Sequence, residues 1–211
     1  MKHISVTLLA VVLALCSTLV SAQLAPSATP GPMTCPAPVP SQPAGIGAGP
    51  APNLVNLAGT DFNIGYIRAM YQHHSDTAAL ATQGIQLASD KNLRDLSGKI
   101  RYEKTKQNEK LAMWYSQYTG QILPAVSFDR VEYDLSRLQG FSGRDFDIEY
   151  ALTMINYLEQ ARDAAQLGIS RLTVPEIRDQ AMIVADAAQN EAIALRRWLE
   201  ISSPPVTSPR S

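Results

Sequence analysis

Two adjacent histidines stand in a helical stretch, Met70-Tyr71-Gln72-His73-His74, and offer imidazole and thioether groups within a single turn. The chain's third histidine is His3, close to the start. Imidazole suits copper among several metals, and a methionine thioether favours Cu(I). On a helix, Met70 lies one turn before both His73 and His74, so the thioether and one ring can face the same way. Adjacent side chains diverge by about 100°, so both rings reach a single ion only with a bend. Each residue also has a structural reading: Met70 as core packing, His73 as a hydrogen-bonded core histidine, and His74 as another interior group.

Other chemistries find less support. A di-iron site in a helix bundle needs Glu-x-x-His from two helices and further glutamates; the sequence holds no Glu-x-x-His. Covalent haem attachment needs Cys-x-x-Cys-His, also absent. Asp76, Glu103, Glu109 and Glu159 are candidate carboxylates, expected on solvated helix faces. No nucleophile, base and orienting group assemble into a triad. The expectation is a protein that is not an enzyme and has no catalytic residues.

The elements that must hold the pair follow from periodicity. Phe62, Tyr66, Met70, His73, Thr77, Ala81 and Ala88 recur at three, four or seven residues, predicting a helix from near Thr60 to about Ala88. Ser89-Asp90 supplies a break and a cap. A second helix is expected over about 91–118, burying Leu93, Leu96, Ile100, Leu111, Trp114 and Tyr118 and closed by Thr119-Gly120. Residues 121–143 read as irregular, with a short helical turn within 129–138. A third helix is expected from about Ser142–Asp145, a stretch similar to a capping box, to Arg171. Thr173-Val174-Pro175-Glu176 opens a fourth, running to about Ile201.

The halves of this region match without a gap at an offset of 84 residues. Asp61-Phe62-x-Ile64-x-Tyr66 returns as Asp145-Phe146-x-Ile148-x-Tyr150, Met70 as Met154, Gly84 as Gly168 and Trp114 as Trp198. His73-His74 returns as Tyr157-Leu158. Each half is a helical hairpin with an apolar face that it cannot bury alone. A helix of 28 residues is about 42 Å long, and a linker of some 23 residues reaches about 75 Å, so the connection can run the bundle's length. The predicted fold class is all-α: a ferritin-like four-helix bundle made of two repeated helical hairpins with a long crossover.

The flanks differ in composition. Residues 1–22, with Lys2, the apolar run 4–15 and Val20-Ser21-Ala22, read as a cleaved export signal. A lipidated Cys16 is the rival reading. Residues 23–52 are rich in proline and predict a tether without a fold. The domain is expected over 53–202, with repeats over about 58–118 and 142–202, and 203–211 is a tail. Export leaves Cys35 as a lone thiol, so no internal disulfide is expected. A net charge of −1 without a basic cluster gives nucleic acid no footprint. No stretch beyond the signal reaches the ~20 apolar residues of a membrane span.

The pattern Phe62-Asn63-x-x-Tyr66-x-x-x-Met70-x-x-His73-His74-x-x-Thr77, with Phe146-Asp147-x-x-Tyr150-x-x-x-Met154-Ile155 and Gln189-Asn190-Glu191 before Leu195 and Trp198, resembles domain-of-unknown-function family 305, DUF305. The resemblance covers roughly 58–201 and implies an exported ferritin-like bundle. Some members bind copper in the periplasm, which makes copper the implied metal and Met70, His73 and His74 its implied ligands, completed by a second chain if the site is shared. Two departures stand out: the second histidine pair is absent, and residues 121–143 contain no methionine. The alternative implied by those losses is an exported helical module without metal, engaged with an envelope partner or a second copy.

Overall fold

The computed structural model describes residues 49–202. The expected signal, Cys16, Cys35, most of the tether and the 203–211 tail lie outside the described residues.

The described residues form helices and no strand. A 3-10 turn at Ala51–Asn53 precedes α1 (Gly59–Leu87), α2 (Lys91–Thr119), α3 (Asp129–Leu138), α4 (Gly143–Arg171) and α5 (Pro175–Ser202). The four long helices lie where the apolar periodicity puts them. Asp90 caps α2 by accepting from the Leu93 amide at 3.0 Å. Gly120 ends the same helix at φ 69°, the left-handed turn that glycine adopts without penalty.

The helix starts of the second half depart from expectation. Ser142 precedes α4 but makes no side-chain capping bond. Thr173 is held instead by Asn63: the Asn63 amide donates to the threonine hydroxyl at 2.7 Å and its carbonyl accepts from the Thr173 N–H at 3.1 Å. The repeat-related clasp joins Asp147 to the Ser89 N–H at 2.8 Å and the Asp90 N–H at 3.0 Å. Position 63 matches 147 and position 89 matches 173. Each hairpin turn is thus tied to the start of the other hairpin's first helix. A polar residue near the head of a helix takes a partner across the interface rather than its own backbone.

These clasps fix direction. The start of α1 meets the end of α4 and its end meets the start of α4, so the two are antiparallel. α2 is antiparallel to α1 and so runs parallel to α4. Within each hairpin, α1 packs against α2 and α4 against α5; between hairpins, α1 against α4 is the main seam and α2 against α5 a slighter one.

Two glycines let that seam close. A Cβ on Gly84 would stand 2.2 Å from Cζ of Tyr150, and one on Gly168 would stand 2.6 Å from Cε2 of Tyr66. The tyrosine of each half thus lies on the glycine of the other.

Two expectations about burial are corrected. On α2, Tyr118 is exposed and Tyr115 buried, a one-step rotation of the inner face near its end. Residues 49–52 do not belong to a structureless tether: Pro50 is buried, Ala51–Asn53 turns, and Leu54 enters the core. Arg171 secures this entry by donating to the Val55 carbonyl at 3.0 Å and lies over the Phe62 ring.

Candidate functional site

Met70, His73 and His74 are all interior, 1%, 2% and 1% exposed. The periodicity reasoning put Met70 and His73 on the inner stripe. His74 is buried as well because α1 is covered from several sides: α2, α3 and α4 all pack on it. The two rings enter different surroundings, as their ~100° separation requires.

His73 faces the seam with α4 and the crossover. Its Nε2 lies 2.9 Å from the Tyr157 carbonyl oxygen, which can only accept, so Nε2 carries the proton. Nδ1 then accepts from the Arg130 guanidinium at 3.5 Å. The imidazole stacks on the Tyr157 ring, centroids 5.6 Å apart. Arg130 lies over the other part of this group, 4.3 Å from the Tyr157 centroid. Burial, then the Arg130 charge, lowers the His73 pKa to about 3, which keeps the ring neutral. Both nitrogens of His73 are therefore committed to the protein.

His74 is the opposite case. Neither Nδ1 nor Nε2 makes a well-formed hydrogen bond; the Asn108 side chain is the polar group within reach of the ring. Burial lowers its pKa well below the usual imidazole range and the Lys104 charge lowers it further, against an opposing hydrogen bond with the Asn108 side chain. Lys104 on α2 is itself completely buried and donates to Glu191 of α5 at 2.8 Å. One turn on, Asn108 donates to the Tyr71 carbonyl at 3.2 Å and to Ser75 Oγ at 2.9 Å, which brings this level of α2 against the His74 turn of α1. Asn108 Oδ1 and Gln107 Oε1, on the same stretch, are buried without partners.

Asp76 was expected on a solvated face and is 2% exposed. Burial raises its carboxyl pKa to about 6, against the opposing hydrogen bond from Gln72 at 2.9 Å. Gln72 also accepts from the Ser127 N–H at 2.9 Å, pinning the crossover to α1. A cleft of about 310 Å³ runs between these groups, lined by Asn53, Gln72, His73, Asp76, Asp129 and Arg130. Tyr157 O–H donates to Asp134 at 2.8 Å and Arg137 donates to Glu149 at 2.9 Å, so α3 closes over the seam at the His73–Tyr157 level. Glu109 and Glu159 pair with Lys106 and Arg196.

Among the described residues no three or more His, Cys, Asp or Glu side chains gather as a metal cluster. A soft ion on the neutral imidazole of His74 and the thioether of Met70 would not require one. The weakly engaged nitrogens of His74 fit such a metal; the doubly bonded His73 does not. Sequence reasoning missed Lys104 and Glu191. The available signal was that Gln107 and Glu191 are repeat-related on the buried faces of α2 and α5, and that Lys104 falls at the apolar spacing, one turn after Ile100.

Residues 61–199 match the family described as "Domain of unknown function (DUF305)". The chain belongs to DUF305. No curated protein sequence matches it. Solved structures of similar fold include CopM in its Cu(I)-bound form, with a TM-score of 0.60 at 21% identity, covering 67% of this chain and 98% of that one. CopM in its Ag-bound form, from soaking, aligns equally well, with a TM-score of 0.60 at 21% identity over 67% of this chain and 97% of that one. A DUF305 protein from Streptomyces coelicolor aligns with a TM-score of 0.57 at 17% identity, covering 64% of this chain and 89% of the other. At these identities the likeness is one of fold. Within the DUF305 frame, the His73-His74 pair of this chain divides into a firmly bonded ring and one without a well-formed hydrogen bond.

Proposed function

We propose that this DUF305 chain is an exported, non-catalytic, ferritin-like four-helix bundle that holds Cu(I) on Met70 and His74, for copper buffering or tolerance. The observation that carries the reading is His74: an imidazole 1% exposed with neither nitrogen in a well-formed hydrogen bond, one helical turn after a buried thioether. An unpaired buried polar group costs about 1–3 kcal/mol, and a bound ion would offset that cost. Cu(I) accepts few, soft, neutral ligands, which is what these two residues supply. His73 acts as a positioning residue, locking α1 to Tyr157 and the crossover. The similar fold of CopM, solved with Cu(I), Cu(II) and Ag, supports the metal class. The antiparallel hairpins, the parallel α2 and α4 and the long crossover support the ferritin-like reading. The apolar run at 4–15 supports export, and among the described residues no helix is long and apolar enough to cross a membrane.

The reading is tested by titrating the purified protein with Cu(I) against a chromophoric chelator. One bound ion is expected, lost in His74→Leu and in Met70→Leu and retained in a folded His73→Phe. No retention by the unmodified protein, or unchanged retention in His74→Leu, refutes it. A second reading, a DUF305 bundle without metal that serves as an envelope-associated binding module, is favoured by the cations beside the histidines, Arg130 at His73 and Lys104 at His74. That reading expects no ion in any of these proteins.

A further inference from the structure

A trough along α1 has no part in the proposed function. It consists of two adjoining pockets of about 360 and 310 Å³ that share Asn53, Ala69 and Gln72. Its walls are α1, the crossover at 123–130 and the segment ahead of α1. Gly65 lets that segment lie close, since a Cβ there would collide with Cδ1 of Leu57.

Arg68, Gln72 and Asp76 follow at four-residue spacing and so form a row on α1. Arg68 lines the larger pocket, Asp76 the smaller, and Gln72 both. Among the described residues, Arg68 is exposed and makes no hydrogen bond or ion pair. Asp76 is 2% exposed, yet its one hydrogen bond comes from Gln72 to Oδ1, and Oδ2 takes none. The cation nearby, Arg130, is committed to His73 at 3.5 Å and to Gln160. Asp129 adds a second carboxylate at this end. The side-chain amide of Asn53, on the wall common to both pockets, is unengaged as well. The fold does not call for these charges: the repeat-related row is Leu152, Asn156 and Gln160. A buried carboxylate without a cation of its own is costly, and an ammonium group entering the cleft would offset that cost.

The opposite charges are eight residues apart, about 12 Å along the helix axis. An extended chain advances about 3.3–3.6 Å per residue, so the two ends of a three- or four-residue peptide span the same interval. Leu54, Leu57, Leu123, Pro124 and Val126 give the Arg68 end an apolar wall. We propose that the trough binds short peptides of three or four residues with free ends and an apolar last side chain. The α-ammonium meets Asp76, the α-carboxylate meets Arg68, and a backbone amide between them meets Asn53. The proposal uses neither Met70 nor His74 and does not depend on the copper reading.

The test is a calorimetric titration of the purified protein, with chelator present, using the tetrapeptide alanyl-alanyl-alanyl-leucine and its N-acetyl and C-terminal amide forms. The free peptide is expected to bind. Acetylation removes the partner of a buried carboxylate and should weaken binding about tenfold or more; amidation acts at the exposed Arg68 and should weaken it about threefold. Asp76→Asn, which keeps an acceptor for Gln72, should bind the free peptide as weakly as the unmodified protein binds the acetylated one, with no further loss on acetylation. Arg68→Gln should do the same for amidation. Asn53→Ala should weaken all three forms alike. Thermal melts check that each variant is folded. Absence of saturable binding by the free peptide overturns the proposal. Equal binding of the three forms overturns it too, as does a loss on acetylation that persists in Asp76→Asn.

Discussion

Replacing His74 by leucine separates an interior histidine that lacks a well-formed hydrogen bond from one that is bonded. Leucine is the residue at the repeat-related position, Leu158, which is completely buried, so the fold already accommodates it in the equivalent setting. The substitution deletes two buried ring nitrogens that make no well-formed hydrogen bond. Leaving a buried polar group unsatisfied costs about 1–3 kcal/mol, so the variant is expected to be more stable by about 2 kcal/mol at pH 7.5 without metal. For a domain of this size that is a rise in Tm of roughly 4–8 °C.

The advantage also depends on pH with a determined sign. The folded pKa of His74 lies below its unfolded value of about 6.5. Below that pH the unfolded ring takes a proton that the folded ring refuses, and stability falls. Between pH 6.5 and 5 one such histidine costs about 1.6 kcal/mol. His73, with its pKa lowered to about 3, contributes a similar loss in both proteins and cancels in the comparison. The margin of His74→Leu should therefore widen from about 2 kcal/mol at pH 7.5 to about 4 kcal/mol at pH 5. Urea denaturation at pH 7.5, 6.5 and 5, with chelator present and m-values compared, measures it. A variant less stable than the parent refutes the claim that these nitrogens lack well-formed hydrogen bonds. A margin independent of pH refutes the claim that the ring is held neutral.

Other expectations follow from the same packing. The Asp76 carboxyl is raised to about 6 by burial, so its ionised form opposes folding above that pH; Asp76→Asn should add about 1–3 kcal/mol at pH 7.5, and the gain should vanish below pH ~4, read by urea midpoints across pH. Gly84→Ala drives a methyl into the Tyr150 ring and the Ser97 hydroxyl and threatens their 2.7 Å hydrogen bond. Its net cost should be about 1–3 kcal/mol after the gain in helix propensity. Gly168→Ala meets Tyr66, whose hydroxyl has no partner to lose, and should cost about 1 kcal/mol less in the same denaturation series. Ala181→Ser places a hydroxyl at the position related to Ser97; it should give Tyr66 a partner and raise stability by about 1 kcal/mol, checked in a double-mutant cycle with Tyr66→Phe.

The legible part of the fold was its periodic part. Phe62, Tyr66, Met70, Thr77 and Ala81 lie inside as their spacing requires. The 84-residue offset identified the twin positions at which the two clasps and the two glycine–tyrosine contacts occur. The end of α2 was misjudged because both Tyr115 and Tyr118 fit an apolar stripe, and only packing selects between neighbouring registers. Ser142 and Thr173 were read as caps because local sequence cannot show that Asn63 competes for Thr173 from 110 residues away.

At the candidate site, sequence determined which groups exist: one thioether and two imidazoles on one helical turn of the first half, with the thioether kept in the second half as Met154 and the imidazoles replaced by Tyr157 and Leu158. It also determined that the rings must diverge, since adjacent helical side chains do. Tertiary structure decided what each ring meets. His73 is bonded because the antiparallel α4 brings the Tyr157 carbonyl to it and the crossover delivers Arg130. His74 lacks a well-formed bond because the Asn108 amide that α2 brings to this turn is spent on the Tyr71 carbonyl and Ser75. Helical spacing specifies the direction of a side chain relative to its own axis; its neighbours come from helices distant in the chain, and only their packing sets the charge and hydrogen bonding that an imidazole will find.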